Sequence, residues 1–211
     1  KITGNKITGA GEYGIYICGV GKVGSTADTI SNNTIKSGKF KTIRGIDVST
    51  YSTVKLIKGN TITNMTGSPS SGSKATKAAD GHGIVVRKNS VVKNVYANKI
   101  TTVKNNGIYV FDKSKVTNIG GTKKANGNTI TDAKKYGIQI VDSTVGTIGY
   151  NTVAKKKTAS TRGIDVSSSK STAKVTKIVN NTLSNIKENG IMIRKAKATA
   201  KTINSNTITN V

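Results

Sequence analysis

The stretch RGIDVSTYSTVKLIKGNTITNM, residues 44–65, contains each element that recurs along this chain. It opens with a Gly-Ile-x-Val segment at Gly45 and closes with an Asn-x-Ile segment at Asn60, and Ile57 stands three residues before that asparagine. Alternation of aliphatic and polar residues in both segments is typical of short β-strands. The stretch therefore predicts a strand, a turn and a further strand wherever its pattern returns.

The pattern returns through the whole chain. Asparagine followed two residues later by an aliphatic residue occurs at Asn5, Asn33, Asn60, Asn98, Asn128, Asn151, Asn181 and Asn206. Gly-Ile-x-[Ile/Val] alternates with it, beginning at Gly14, Gly45, Gly83, Gly107, Gly137, Gly163 and Gly190. Successive asparagines are separated by 23 to 38 residues, which indicates short strands joined by turns of variable length. We expect the asparagines to occupy turns with positive φ and to hydrogen-bond from one repeat to the next.

These motifs resemble the "G-I-x-V … I-x-x-N-x-I" coil repeat of the pectate-lyase-like superfamily, over essentially the whole chain. The resemblance implies an all-β protein, a right-handed parallel β-helix solenoid of about eight coils with three short strands each. Columns of isoleucine would fill its interior, with neighbouring coils about 4.8 Å apart. Many functions share this fold, so the resemblance by itself does not assign an activity.

The domain organisation follows from the repeat. We expect residues 1–211 to form a single β-helix domain, and the absence of caps to mark a fragment of a longer array. Bare strand edges would also favour end-to-end self-association.

An internal duplication, about 1–120 and 121–211, is predicted from a second level of repetition. Each half contains Tyr-Gly-Ile followed by Arg-Gly-Ile-Asp-Val-Ser, at Tyr13 and Arg44 and again at Tyr136 and Arg162.

Composition restricts the function. Thirty-four Lys and Arg residues against nine Asp and Glu give a net charge of +25. One cysteine and one histidine exclude a disulfide framework and a Cys-rich or multi-His metal site, and we expect no metal and no cofactor. No apolar run approaches the roughly 18 residues of a membrane span. The positive field favours an anionic glycan or cell-wall polymer as partner, whereas few arginines and no interleaved aromatic platform argue against nucleic acid.

The x position of each Gly-Ile-x-Val segment points away from the core. Together with neighbouring positions it supplies the predicted ligand-binding residues Tyr16, Arg44, Asp47, Tyr109, Arg162, Asp165 and Arg194. The repeated Arg/Asp pairs would grip a sugar acid or its hydroxyls. The alternative is an exposed ion pair copied by duplication, which contributes little stability.

An enzymatic alternative centres on the single histidine. Gly81-His82-Gly83 resembles an element of polygalacturonases, and the candidate catalytic residues would be Arg44, Asp47, His82 and Arg87. Glycoside hydrolysis needs paired carboxylates, and Asp47 and Asp80 are the acidic residues nearby. The other interpretation is a solvated turn histidine beside the insertion at residues 66–80.

A lyase or epimerase is the related alternative. Asp112 and Asp142 fall at equivalent positions of neighbouring coils, but two carboxylates make a weak calcium site. The Tyr-Gly-x-Asp-Pro-His motif of mannuronan epimerases is absent.

Threonine forms two further columns, which resemble the ice-binding face of some β-helical antifreeze proteins. One follows the asparagines directly, at Thr34, Thr61, Thr129, Thr152, Thr182 and Thr207. The other comprises Thr8, Thr63, Thr101, Thr131 and Thr209. Threonine is also an ordinary exposed strand residue.

Together these observations predict a non-catalytic β-helix segment of a secreted or cell-surface bacterial protein, structural or adhesive, that binds anionic polysaccharide. The alternatives are a carbohydrate-active lyase, epimerase or hydrolase on acidic polysaccharide, and an ice-binding protein.

Overall fold

The computed structural model describes residues 1–38, 43–67, 81–154 and 160–211. Within these ranges the chain forms 23 strands and one 3-10 helix, Lys124–Asn126. The strands make three parallel sheets, as the repeat predicted. No helix of the described ranges could cross a membrane.

Sheet 1 contains the strand that precedes each asparagine of the repeat; it ends two residues before the asparagine, except that β13 ends at Ile119, before the insertion that leads to Asn128. Its eight strands lie in the order β1 (Ile2–Thr3), β4 (Thr26–Ser31), β7 (Thr53–Lys58), β10 (Val91–Tyr96), β13 (Lys115–Ile119), β16 (Thr144–Gly149), β19 (Ala173–Val179) and β22 (Ala198–Asn204).

Sheet 2 contains the strand that follows each asparagine. Its order is β2 (Lys6–Thr8), β5 (Thr34–Lys36), β8 (Thr61–Met65), β11 (Lys99–Val103), β14 (Thr129–Ala133), β17 (Thr152–Ala154), β20 (Thr182–Ser184) and β23 (Thr207–Thr209).

Sheet 3 contains the Gly-Ile-x-Val strands. Its seven strands are β3 (Tyr13–Cys18), β6 (Arg44–Ser49), β9 (His82–Val86), β12 (Ile108–Val110), β15 (Tyr136–Val141), β18 (Ser160–Ser167) and β21 (Ile186–Arg194). The chain visits the three sheets in turn, so the described strands make seven complete coils and two strands of another. The expected coil of three short strands is confirmed, and the expected count of about eight is close.

The core lies between the sheets and consists of aliphatic columns in register. Ile30 faces Ile57 in sheet 1, Ile35 faces Ile62 in sheet 2, and equivalent isoleucines align in sheet 3. The glycine of the Gly-Ile motif belongs to this packing. A Cβ on Gly45 would lie 2.5 Å from Ile62 Cγ2 and 2.7 Å from the Gly83 carbonyl oxygen. Sheets 2 and 3 can approach this closely because the side chain is missing.

The asparagines form the predicted ladder at the turn between sheets 1 and 2. In each step one Oδ1 accepts from both the backbone N–H and the Nδ2 of the asparagine one coil earlier, from Asn5 through to Asn206. Nδ2 also donates its second hydrogen bond to a backbone carbonyl of the preceding coil. Asn98 Nδ2, for example, lies 3.0 Å from the Ile57 carbonyl oxygen. Interior members are buried, so each amide has partners on both sides.

The expectation of positive φ at the ladder asparagines is wrong. None of the eight has positive φ; the left-handed residue is the one immediately before, namely Gly4, Asn32, Gly59, Ala97, Tyr150, Asn180 and Ser205. Gly127, before Asn128, is the exception with φ −61°. The turn is made one residue earlier, and this leaves the asparagine in a conformation that directs its amide inward.

A second ladder lies at the turn that leads into sheet 1. The backbone N–H of each serine donates to the Oγ of the serine in the next coil at 3.0–3.2 Å, along Ser25, Ser52, Ser90, Ser114 and Ser143. The next two positions in register are Ala173 and Ala198. The serine ladder therefore supports the coils through Ser143 and ends there.

Candidate functional site

The outer face of sheet 3 carries the predicted site residues in the predicted register. Tyr16, Asp47, Val85, Tyr109, Gln139, Asp165 and Met192 are aligned from coil to coil. This column is largely buried rather than open, and arginines from the flanking columns contact Asp47 and Asp165. Asp47, Val85 and Asp165 have no exposed surface, and Tyr16 is exposed.

The first arginine cluster comprises Tyr13, Arg44, Asp47 and Arg87. Asp47 Oδ2 accepts from Arg44 Nη1 at 2.7 Å, and Arg87 Nε lies 3.1 Å from both carboxylate oxygens. The Arg44 guanidinium also lies over the Tyr13 ring, 5.6 Å from its centroid. Both arginine side chains are only 12% exposed, so the cluster is a compact, nearly buried group of charges.

The second arginine cluster comprises Tyr136, Arg162, Asp165 and Arg194. Arg194 Nε and Nη2 donate to the two oxygens of Asp165 at 2.8 and 3.2 Å. Arg162 Nη1 lies 3.8 Å from Asp165 Oδ1 and donates to the Tyr136 hydroxyl at 3.0 Å. The Asp165 interaction raises the pKa of Arg194, since it stabilises the charged guanidinium.

The predicted exposed ion pair is therefore wrong. Each aspartate is fully buried and is shared by two arginines from successive coils. Sequence reasoning paired Arg44 with Asp47 and Arg162 with Asp165. It named Arg87 and Arg194 among the candidate site residues but did not pair them with these aspartates. The parallel register brings Arg87 and Arg194 to these aspartates, because each lies one coil after the aspartate that it contacts. The two clusters share one arrangement, while the duplication itself stays a prediction.

Four aromatic residues of this face form two stacked pairs. Tyr13 stacks on Tyr16 with ring centroids 4.3 Å apart, and Tyr109 stacks on Phe111 at the same distance. Burial and, to a smaller extent, a hydrogen bond with the Cys18 side chain raise the pKa of Tyr16 to about 12. Burial also raises the pKa of Tyr109 to about 12. Both phenols are therefore neutral at physiological pH and present aromatic faces.

His82 is not a solvated turn residue. It lies in β9, is 3% exposed, and its ring is 5.3 Å from that of Tyr109. Its Nδ1 accepts from the Asn106 backbone N–H at 3.3 Å. Strand pairing with β6 buries it beside Arg44, which explains the difference from the prediction. Asp80 and most of the 66–80 insertion lie outside the described residues.

Asp112 and Asp142 occupy neighbouring turns between sheets 3 and 1. The Asp142 carboxylate accepts from the backbone N–H groups of Ser169, Lys170 and Ser171 at 2.6–3.1 Å. It therefore holds the turn of the next coil rather than facing an open cation site. No group of three or more His, Cys, Asp or Glu suitable for a metal occurs among the described residues.

The outer face of sheet 1 is strongly basic. Its strands carry the exposed lysines Lys55, Lys58, Lys93, Lys115, Lys174, Lys177 and Lys201. One carboxylate, Asp28, occurs in the same strands, and it lies 2.7 Å from Lys55 Nζ. Register places Lys93 directly beside Lys55 and Lys174 beside Thr144. The result is a positive surface along the axis of the solenoid.

The threonine columns of sheet 2 are aligned as predicted. Thr129 is in register with Thr152, and Thr63 with Thr101, and lysines replace threonine at Lys6, Lys36 and Lys99. A shallow groove beside the first column is lined by Tyr150, Asn180 and Lys124 together with four of its threonines.

Comparison with known proteins identifies the repeat and nothing finer. A family model described as a right handed beta helix region matches residues 1–176. No curated protein and no solved structure matches the chain.

Proposed function

The chain belongs to the right-handed β-helix family, and on that premise we propose that it is a non-catalytic segment of a secreted or cell-surface bacterial protein that binds an anionic polysaccharide. The observation that carries this proposal is the row of exposed lysines on sheet 1. Seven lysines face solvent there against one carboxylate. A linear polyanion lying along the axis would meet positive charge on the neighbouring strands β7, β10 and β13, about 4.8 Å apart, and again on β19 and β22.

The arginine clusters support a structural role for the acidic residues of sheet 3. Asp47 has no exposed surface, and both of its oxygens are occupied by guanidinium groups. An acid or base catalyst must reach the proton that it transfers. Asp47 has no such access in this arrangement, and this favours the non-catalytic proposal over the hydrolase alternative.

Affinity electrophoresis tests the proposal. Native gels containing polygalacturonate or alginate should retard the protein at low salt, and gels containing a neutral polysaccharide should not. Because exposed charges are screened over about 8 Å at physiological ionic strength, retardation should fall as salt is added. Binding of the neutral polymer, or retardation that salt does not change, would overturn the proposal.

Two variants of equal charge locate the binding face. Replacing Lys93, Lys115 and Lys174 by Gln removes three charges from sheet 1. Replacing Lys6, Lys36 and Lys99 by Gln removes three from sheet 2. We expect the first variant to lose most of the retardation and the second to lose little. Equal losses would show that net charge alone is responsible.

The same gels test for catalysis. If the polymer is stained after the run, a cleared zone at the protein band would show that it has been degraded. That result would favour the lyase or hydrolase alternative, and Arg44, Asp47, His82 and Arg87 would be the first residues to replace.

Ice binding is a second candidate, favoured by the coil-to-coil register of the threonine columns. It predicts thermal hysteresis and faceted ice crystals, which substitution of Thr152 and Thr182 by Lys should abolish. A freezing point equal to the melting point would exclude it.

End-to-end self-association is also proposed. The proposal is supported by the edge strands β22 and β23, in which Ile203 and Ile208 are 49% and 44% exposed. Light scattering over a concentration series should show mass increasing with concentration. A constant monomer mass would contradict this.

A further inference from the structure

The groove beside the first threonine column lies where one turn of the solenoid is longer than its equivalents. At seven of the ladder asparagines a single residue separates the strand of sheet 1 from the asparagine, whereas residues 120–127 precede Asn128. These residues include the 3-10 helix Lys124–Asn126, and Lys124 and Gly127 line the groove. The long turn therefore supplies one wall of the groove, and the regular coils that follow supply the rest.

This wall is fixed to the coils on both sides of it. The Ala97 backbone N–H of the preceding coil donates to the Asn126 carbonyl oxygen at 2.9 Å. Towards the following coil, Gly127 lies so close to Tyr150 that a Cβ on Gly127 would collide with the Tyr150 carbonyl oxygen. The groove is thus part of the folded solenoid, and its volume of about 470 Å³ is within the usual range of small-molecule sites.

Four coils contribute the floor of the groove in register. The threonines of these coils align from strand to strand, at Thr129, Thr152, Thr182 and Thr207. Two residues before each threonine lie the other residues of the floor, Gly127, Tyr150, Asn180 and Ser205. Because neighbouring strands are about 4.8 Å apart, the four coils extend over about 14 Å along the axis. The groove therefore suits an extended chain rather than a compact molecule.

Most polar side chains of the groove are available to a ligand. Within the part of the chain that the structure describes, the four threonine hydroxyls, the Tyr150 hydroxyl and the Asn180 amide make no side-chain hydrogen bond, and Lys124 makes no ion pair. Ser205 is different, since its Oγ donates to Asn204 Oδ1 at 3.1 Å. Hydroxyls and amides both donate and accept hydrogen bonds, and this matches the hydroxyl groups of a sugar.

Charge and ring chemistry narrow the ligand further. No residue that lines the groove is acidic, and Lys124 places a positive charge at the wall. Tyr150 adds an aromatic ring, which can pack against the apolar face of a sugar. The floor strands β14, β17 and β20 are already paired on both sides, so an extended peptide would find no open backbone edge there. These features favour an acidic sugar chain over a peptide.

We propose that this groove binds an acidic oligosaccharide along the solenoid axis. Its carboxylate pairs with Lys124, one ring packs on Tyr150, and its hydroxyls hydrogen-bond to the threonines of the floor. A 1,4-linked sugar advances its chain by a distance similar to one coil, so successive sugars meet successive threonines. The choice of an acidic sugar rests on the proposed polysaccharide function, but the groove is separate from the lysine face of sheet 1.

Threonine methyl NMR tests the site. Titration with trigalacturonate should shift the signals of the four groove threonines and leave those of the second column, at Thr63, Thr101 and Thr131, in place. Maltotriose, a neutral trisaccharide, should bind at least about fivefold more weakly, because it has no carboxylate for Lys124. Unmoved groove signals, or equal affinity for maltotriose, would overturn the proposal. A response to triglutamate but not to trigalacturonate would assign the groove to acidic peptides and would overturn it as well.

Matched variants separate the groove from the general positive charge. Lys124→Gln should weaken trigalacturonate binding roughly fivefold, whereas Lys123→Gln, next to it but outside the lining, should change it little. Tyr150→Asn removes the ring, and asparagine tolerates the φ of +58° at this position, so binding should weaken roughly tenfold or less. Tyr51→Asn is the control, since Tyr51 has the same φ in a turn between sheets 3 and 1. If the two members of either pair behave alike, the proposed contacts are wrong.

Failure of this site and failure of the proposed function give different results. Polymer retardation that depends on the sheet 1 lysines, together with unmoved groove threonines, would reject the groove and keep the function. Groove threonines shifted by trigalacturonate, without retardation in polygalacturonate gels, would keep the groove and reject polymer binding along sheet 1.

Discussion

Asn60 presents its Oδ1 to Asn33, where it accepts from the backbone N–H at 3.0 Å and from the side-chain Nδ2 at 2.9 Å. Each interior asparagine is thus acceptor to one neighbouring coil and donor to another. The ladder couples the coils through buried amides, for which water cannot substitute once a partner is removed.

Asn98→Ala should lower the free energy of unfolding by roughly 3 kcal/mol, since it leaves two buried donors of Asn60 without an acceptor. Asn5→Ala, at the exposed end of the ladder, should cost less than about 1 kcal/mol. Urea titration monitored by circular dichroism measures both. Equal losses would contradict the ladder as the source of stability.

Gly45→Ala should destabilise the fold by about 1–3 kcal/mol, because the new methyl group meets Ile62 and the Gly83 carbonyl where the backbone cannot separate without breaking sheet 3. Gly11→Ala is the matched control, since nothing lies within 4 Å of its Cβ position. The difference in urea midpoint between the two variants is the measurement, and a midpoint unchanged by Gly45→Ala would refute the close approach.

Asp47→Asn should cost roughly 3–5 kcal/mol, because two nearly buried arginines lose their shared carboxylate. Asp165→Asn should cost less, since Glu188 still faces one arginine of the second cluster. Thermal unfolding of the two variants side by side checks the order. The reverse order would show that Glu188 does not neutralise its cluster.

Acid should selectively weaken the turn held by Asp142. Partial burial raises the pKa of this carboxyl, but the backbone N–H groups of Ser169, Lys170 and Ser171 outweigh it, and the pKa lies below its ordinary value of 3.8. A pKa depressed by folding contributes stability above the ordinary value, and that contribution is lost as pH falls through the folded pKa.

Asp142→Asn should therefore lower the urea midpoint at pH 6, and this effect should be smaller at pH 2. Asparagine accepts the φ of +49° at this position, so the comparison isolates the charge. A midpoint difference that is the same at both pH values would contradict the assignment.

The repeat was predictable because its anchors are local in sequence. Asn-x-Ile, Gly-Ile-x-Val and the preceding aliphatic residue each mark one column, and parallel stacking then fixes the register of residues as distant as Asp47 and Asp165. The serine ladder was missed although a serine stands one residue before the strand at Ser52, Ser90, Ser114 and Ser143. Serine is common in turns, so these residues are recognised as one column only after the strands of sheet 1 have been aligned from coil to coil.

Burial on sheet 3 was harder to foresee. Its position within the motif shows that Asp47 points outward from the core. Asp47 also contacts Arg87, which is 40 residues later in the sequence. Similarly, His82 follows a long insertion in sequence yet lies in a central strand. Such contacts depend on side-chain reach between coils, which the repeat does not encode.

The hydrogen bonds of all three sheets run parallel to the long axis of the solenoid, while the strands run across it. Tension applied to the two ends along that axis therefore falls on the outermost coil first, as in a zipper, and is not shared by the coils behind. Each coil contacts its neighbours alone, so the chain would lengthen in steps of one repeat. Mechanically, the molecule is a stack of separable coils, and its resistance to stretching is set by the weakest contact between two neighbouring coils. After Ser143 these contacts keep the asparagine ladder but no longer have the serine ladder.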